Sequence, residues 1–198
     1  MNVKPVSLLG QVVRLEPLRI EHVPELTCVG LDRRIWRYMV YGEITTEAQM
    51  SHFVTTLLQR AATGTDLPFA VIYQATNRAI GCTRYMTIKS NHRSLEIGGT
   101  WYGVDYQRTK VNTESKFLLL EHAFEKLECI RVQFKTDLRN QRSQRALERI
   151  FAEKEGVLRH HMILPNGEVR DSVYYSIIAS EWPQVRARLK EMLSQKYE

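Results

Sequence analysis

Apolar residues recur at helical spacing in several stretches of the chain and alternate with polar ones in shorter runs between them. From Thr46 to Ala62, Met50, Phe53, Val54, Leu57 and Leu58 return every three or four positions, which predicts an amphipathic helix. Thr46 with Gln49 three residues on has the form of a capping box at its start. A second helix is predicted over Thr113–Leu127, on the stripe Phe117, Leu120, Phe124 and Leu127. A third covers Asn140–Phe151, with Ala146, Leu147, Ile150 and Phe151 on one face. The segment from Ile20 to Tyr41 is broken and helical, with Trp36, Tyr38, Met39 and Tyr41 clustered near its end.

Strands are predicted over Gln11–Glu16, Pro68–Gln74, Ala79–Ile88, Leu95–Tyr102 and Ile130–Thr136, with Asn77 and Asn91 near turns. Val157–Leu164 and Val169–Ile178 flank Pro165-Asn166-Gly167-Glu168, a hairpin signal. A last helix is expected from about Ser180, which would cap it, with Pro183 tolerated in the first turn. Two helices alternate with strands at the centre of this order, so the chain reads as a mixed α/β fold.

Composition narrows the class. The 198 residues are 43% hydrophobic and 25% charged, which fits a soluble globular chain and excludes disordered, collagen-like and membrane-embedded ones. The length suits one domain over residues 1–198, and no repeat, low-complexity tract or linker divides it. No apolar run approaches the roughly 20 residues that span a bilayer. The amino terminus lacks the apolar core and cleavage site of a signal peptide. Cys28, Cys82 and Cys129 are scattered and odd in number, which argues against a disulfide framework and for a cytoplasmic location. Lys and Arg number 28 against 22 Asp and Glu, a formal charge of +6 that favours an anionic partner. Nucleic acid is not the expected one, because the basic residues are spread along the chain and no recognition motif accompanies them.

The informative stretch is Glu96–Lys116, running from a strand through a polar basic loop into a helix. Gln107–Asn112 would place backbone N–H groups at a helix amino terminus, with Arg108 and Lys110 adding charge. That arrangement suits a phosphate or pyrophosphate; an ordinary loop with solvated basic residues is the alternative. Gly98-Gly99 inside the strand points to a bulge or close approach by a ligand, or else to a plain twist. Glu96 shares a face with Gly98 and reads as a general base or as a solvent-facing carboxylate. In His160-His161 and Tyr174-Tyr175 alternation turns one member of each pair to the opposite face. His122 and Glu125 share a helix face, but no third ligand is suggested, so no metal is expected. No P-loop, nucleophile-elbow or zinc-protease pattern is present.

Three blocks in order carry a resemblance over nearly the whole chain. They are Gln107-Arg108-Thr109-Lys110-Val111-Asn112 followed by Thr113-Glu114-Ser115-Lys116; Asn140-Gln141-Arg142-Ser143 followed by a helix and Glu155-Gly156-Val157; and Arg170-Asp171-Ser172-Val173-Tyr174-Tyr175-Ser176 leading to Glu181-Trp182-Pro183. The sequence resembles the GNAT N-acetyltransferases, and within them the branch of the ribosomal-protein acetyltransferases RimJ and RimL. The resemblance implies a central, mostly antiparallel twisted sheet whose fourth and fifth strands splay around the cofactor. It also implies direct acetyl transfer from acetyl-CoA to an amine acceptor in a ternary complex, without a metal or a membrane.

Carried over residue by residue, it assigns Glu96 as candidate base and Ser143 as candidate acid. Cofactor contacts fall on Trp101, Tyr102, Gln107, Arg108, Thr109, Lys110, Val111, Asn112, Thr113, Asn140 and Ser143, and acceptor contacts on Trp36, Tyr41 and His161. The acceptor is a protein amino terminus or a small-molecule amine. Pairing into a homodimer through the hairpin or the last helix is left open. Two departures stand out: Lys110 and Asn112 occupy the glycine and small-residue positions of the phosphate loop, and Phe151 replaces a helix-ending glycine. Lysine is costlier than glycine where a loop wraps a pyrophosphate closely, so a weaker or altered cofactor affinity is expected without loss of binding, and the helix before Ala152 should end loosely. These departures motivate an alternative, a non-catalytic CoA-binding module.

Overall fold

A computed structural model describes residues 1–195; positions 196–198 of the expected domain lie outside it. The elements in chain order are β1 (Leu8–Leu9), β2 (Val13–Pro17), α1 (Val23–Gly30), α2 (Arg33–Trp36), α3 (Glu47–Ala62), β3 (Leu67–Tyr73), β4 (Arg78–Lys89) and β5 (Ser94–Tyr102). They continue with α4 (Lys110–Glu121), β6 (Arg131–Asp137), α5 (Gln141–Glu148), β7 (Glu153–Ile163), β8 (Val169–Ile178) and α6 (Trp182–Ser194). The strands form one eight-stranded sheet in the order β1-β2-β3-β4-β5-β6-β8-β7. Every neighbouring pair is antiparallel except β5 with β6.

Alternation along the strands divides the apolar side chains between two layers. On one face Leu15, Phe69, Tyr85, Ile97, Phe134 and Tyr175 pack with Leu119 and Leu120 of α4 and Leu189 of α6. On the other, Ala70, Ile72, Cys82 and Trp101 pack with Leu26 of α1, Trp36 of α2, and Met50, Phe53 and Val54 of α3. Each fully buried large apolar side chain contributes roughly 1.5–3 kcal/mol, as an upper estimate. One buried carboxylate locks the first layer to the start of the sheet. Glu114 of α4 accepts the backbone N–H groups of Gln11, Val12 and Val13 at 2.9, 2.7 and 2.6 Å.

The capping box at α3 forms as expected, with Thr46 Oγ1 accepting from Gln49 N at 3.2 Å and Gln49 Oε1 from Thr46 N at 3.1 Å. The β7–β8 hairpin turns at Gly167 (φ +83°), whose N–H donates to Leu164 O at 2.8 Å. Other boundaries differ from expectation. Helix α4 starts at Lys110, three residues early, because Thr109 caps it by accepting from Val111 N at 3.2 Å. The same helix runs on into a π turn at His122–Lys126. Ser180 does not cap α6; Glu181 precedes Trp182, and its carboxylate instead accepts from Ile178 N at 2.9 Å. β7 begins at Glu153, in a polar stretch that pairs because Glu155 bonds Arg131 on β6 and Ser176 on β8.

The end of α5 is tidy, against expectation. Phe151 N donates to Glu148 O at 2.9 Å and Ala152 N to Leu147 O at 3.2 Å, the two bonds of a Schellman motif. Phe151 takes the left-handed position itself, at φ +63°.

Candidate active site

The site is set by what β5 and β6 fail to do. They pair only through Ser94–Glu96 against Arg131–Gln133. Beyond that point Gly98–Tyr102 has only β4 as a partner, and Phe134–Asp137 only β8. A wedge-shaped gap therefore opens in the middle of the sheet, the splay the resemblance implies.

The glycine pair lies at the edge of that gap. Arg84 of β4 opposes Gly98, but Cys82 opposes Trp101, so Gly99 and Thr100 share the single partner Thr83. This is a β-bulge. Gly99 sits at φ +58°, and a Cβ there would lie 3.0 Å from Tyr41 Oη and 3.2 Å from Arg84 Nε. Glycine is required by both conformation and space.

On the α1–α3 face of the sheet, Glu96 is 3% exposed. Gln133 Nε2 donates to its Oε2 at 3.0 Å, and Lys135 Nζ stands 3.9 Å from Oε1. Next to them, His161 Nδ1 lies 3.0 Å from Ser172 Oγ, and its ring meets Tyr174 edge-on at 5.8 Å. Burial pushes the His161 imidazole below its ordinary value, and Lys135 and Arg170 push it the same way, against the pull of Glu96. His161 is therefore neutral at pH 7, able to accept a proton. Arg170 is buried beside Asp137, at 4.0 Å, and donates to Ser172 Oγ and to Tyr38 O. Tyr41 accepts from Arg84 Nη2 at 2.6 Å, and Arg84 is held in turn by Asp66 at 3.2 Å. Arg84 Nη1 is buried without a hydrogen-bond partner, among the described residues.

Trp36 lies elsewhere. It is 2% exposed, packs on Phe53 and Trp101, and donates its indole N–H to Gly30 O at 2.7 Å. It belongs to the core and supports the wall of the site from behind; the expected acceptor contact is corrected accordingly. Trp101 is likewise buried, so only its backbone is available at the gap.

At the other end of the gap the loop before α4 is built from its own side chains. Arg108 takes the left-handed conformation at φ +60° and is exposed. Lys110 and Asn112 are ordinary helical residues in the first turn of α4. The Lys110 ammonium is also not presented at the loop, because it donates to Leu193 O at the end of α6 (2.5 Å). Gln107 bridges Tyr102 O, to which it donates at 3.1 Å, and Arg142 Nη1, from which it accepts at 2.5 Å. Asn140 caps α5 by accepting from Ser143 N at 3.1 Å. Tyr102 Oη donates to Asn112 Oδ1 at 3.4 Å. Thr113 is buried and receives a hydrogen bond from Arg149 at 3.0 Å. Arg108 and Arg142 are thus exposed cations at this end; the sequence motif points to Arg108, while Arg142, which stands in the second motif block, is added by the structure.

Among the described residues no group of three His, Cys, Asp or Glu side chains is placed to hold a metal ion, and no helix is long and apolar enough to cross a membrane.

Residues 13–151 match the family model described as "Acetyltransferase (GNAT) domain". A curated relative, "Putative ribosomal N-acetyltransferase YdaF" of Bacillus subtilis (strain 168), is 25% identical over 170 residues, covering 85% of this chain and 90% of that protein. A solved structure from T. thermophilus, described as a "putative acetyltransferase", is 38% identical with a TM-score of 0.89, over 98% of this chain and 100% of that one. The ribosomal L7/L12 acetyltransferase RimL superposes with a TM-score of 0.77 at 20% identity, over 88% of this chain and 94% of that one, a likeness of fold.

Proposed function

Because the chain belongs to the GNAT acetyltransferase family, acetyl transfer to an amine is its chemistry, and we propose that it acetylates the amino terminus of a polypeptide, with Glu96 as the base. The observation that carries this reading is the position of Glu96, a buried carboxylate at the closed end of the gap, oriented by Gln133 and flanked by Lys135. Such a group takes the proton from an incoming ammonium, directly or through one water.

The residues around the gap fit acetyl-CoA. The bulge leaves room where a Cβ would intrude, β5 lacks a β6 partner beyond Glu96, and two exposed arginines flank the start of α4. Bound there, acetyl-CoA supplies an activated acyl carbon and a thiol leaving group. Arg108 and Arg142, with the N–H groups of Thr109, Lys110 and Val111 at the helix terminus, would hold its phosphates. Asn140 and Ser143 of α5 would line the pantetheine arm. A backbone N–H at Trp101 or Tyr102 would meet the carbonyl oxygen, where negative charge develops during attack. Tyr41 and His161 stand on the acceptor side, and neutral His161 offers an exit for the proton held by Glu96. The alternative, a CoA-binding module without catalysis, rested on Lys110 and Phe151; Lys110 is accommodated within α4 and Phe151 within the closing turn of α5, which favours the catalytic reading.

The choice of a polypeptide amino terminus draws on the relatives, whose names include ribosomal-protein acetyltransferases. The test is a panel of peptides with free and blocked amino termini, polyamines, amino sugars and amino acids, incubated with acetyl-CoA. Thiol release and a mass gain on free-terminus peptides alone are expected. Acetylation confined to small amines would reassign the acceptor. Glu96→Gln should lower kcat about 100- to 1,000-fold while leaving the CoA Kd unchanged; equal loss of CoA affinity would remove Glu96 from the role of base.

A further inference from the structure

Among the described residues three long cationic side chains are buried, and they are partnered unequally. Arg84 has Asp66 at 3.2 Å and Arg170 has Asp137 at 4.0 Å. Lys116 of α4, 7% exposed, forms no ion pair among the described residues. Its Nζ donates to Thr100 Oγ1 at 3.1 Å and lies 5.8 Å from the centre of the Phe134 ring. Thr100 is the bulge residue of β5, and Phe134 is the first residue of β6 past the paired segment. The amine thus reaches from α4 to the place where the two strands part, on the face of the sheet opposite Glu96.

An ammonium has three donors, and among the described residues one hydroxyl and a ring face receive them. Burial pushes the Lys116 amine down to about 7, with no charged neighbour to hold it up. A buried cation without a counter-charge is costly and is tolerated where an anion comes to meet it. An alkyl thiolate, with an ordinary thiol value of about 8.5, is a stronger base than that amine, so proton transfer from one to the other runs downhill.

We propose that Lys116 is a further catalytic residue, the one that meets the sulfur of CoA in the gap and protonates it as the acetyl group leaves. This rests on the reading that acetyl-CoA occupies the gap. The acceptor nitrogen's lone pair forms the C–N bond, and the C–S bonding pair passes to sulfur. Sulfur takes a proton from Lys116 Nζ, while the nitrogen yields its own to Glu96, whose earlier proton from the ammonium has by then left through His161. Lys116 and Glu96 return to their starting states through water once the thiol and the amide have left. Ser143, the acid suggested by the motif, makes no side-chain hydrogen bond among the described residues and is left with a binding role.

The test compares acetyl-CoA, CoA and desulfo-CoA as ligands of the wild type, Lys116→Met and Ser143→Ala, by calorimetry and by single turnover. The wild type and Ser143→Ala should bind CoA several-fold tighter than desulfo-CoA. Lys116→Met should bind acetyl-CoA as the wild type does, lose the preference for sulfur, and turn over about 100-fold more slowly with KM for acetyl-CoA little changed. Thr100→Val, which removes only the hydroxyl that aims the amine, should show the same losses in smaller measure and serves if Lys116→Met does not fold. An unaltered sulfur preference or turnover rate in Lys116→Met or Thr100→Val overturns the proposal. So does acetylation of Lys116 itself, read by peptide mass. Failure of the wild type to bind either CoA or acetyl-CoA overturns the cofactor reading, and this proposal with it.

Discussion

At Gly99 one added carbon meets both Tyr41 and Arg84, at a φ that side chains avoid. Gly99→Ala should cost about 1–3 kcal/mol of stability and displace the Tyr41–Arg84 wall; thermal melting and turnover together measure both effects. Phe151 presents the opposite case, a large side chain already held at φ +63° with 47% of its surface exposed. Phe151→Gly should raise Tm by a few degrees, corresponding to about 1 kcal/mol. Lys116 adds a pH signature. Its folded value near 7 lies below the ordinary 10.5, so the charged form opposes folding. That penalty is complete below pH 7 and fades as pH rises toward 10.5. Lys116→Met should therefore raise Tm more at pH 6 than at pH 9. The glycine pair was legible in the sequence because glycine inside a strand has few other uses. Lys116 was not, because a lysine between apolar helix positions reads as a solvent-facing residue until the sheet edge beneath it is known.

Helix α4 brings a different prediction. Its amino terminus is flanked by Arg108 and Arg142, while Lys110 is tied back to α6. Arg108→Ala and Arg142→Ala should each weaken CoA binding several-fold, and the loss should shrink in high salt because both are exposed. Lys110→Ala should affect Tm more than CoA affinity, read by melting and titration on the same preparation. Apart from the two-residue strand β1 and the division of Ile20–Tyr41 into α1 and α2, the order of helices and strands, the α3 cap and the β7–β8 turn could be read from periodicity and turn chemistry. What escaped was local: the Thr109 cap, which moves α4 three residues upstream, and the start of β7. Glu153–Glu155 has no apolar alternation, since its strand identity rests on cross-strand bonds from Arg131 and Ser176.

Across the whole molecule, Glu96 and Lys116 approach the gap from opposite faces of one sheet, which the proposed reading makes its acceptor and sulfur sides. Sequence periodicity assigned each residue to a face of its own element. It carried no information on which faces a strand separation would bring into communication, and for that reason Gln133, Lys135, Arg142 and Lys116 were passed over. The register of β5 on β6 has a further consequence. Among the described residues, three residue pairs join β1–β5 to β6–β8 within the sheet. Within the sheet the two parts are antiparallel blocks meeting at that short parallel seam, while one apolar layer against α4 and α6 spans both. Opening of such a structure should proceed block by block, and native-state hydrogen exchange should resolve two cooperative units that divide between Tyr102 and Arg131. A ligand lodged across the seam would act as a cross-brace: saturating CoA should merge the two exchange units into one, a mechanical role for the acetyl donor in addition to its chemical one.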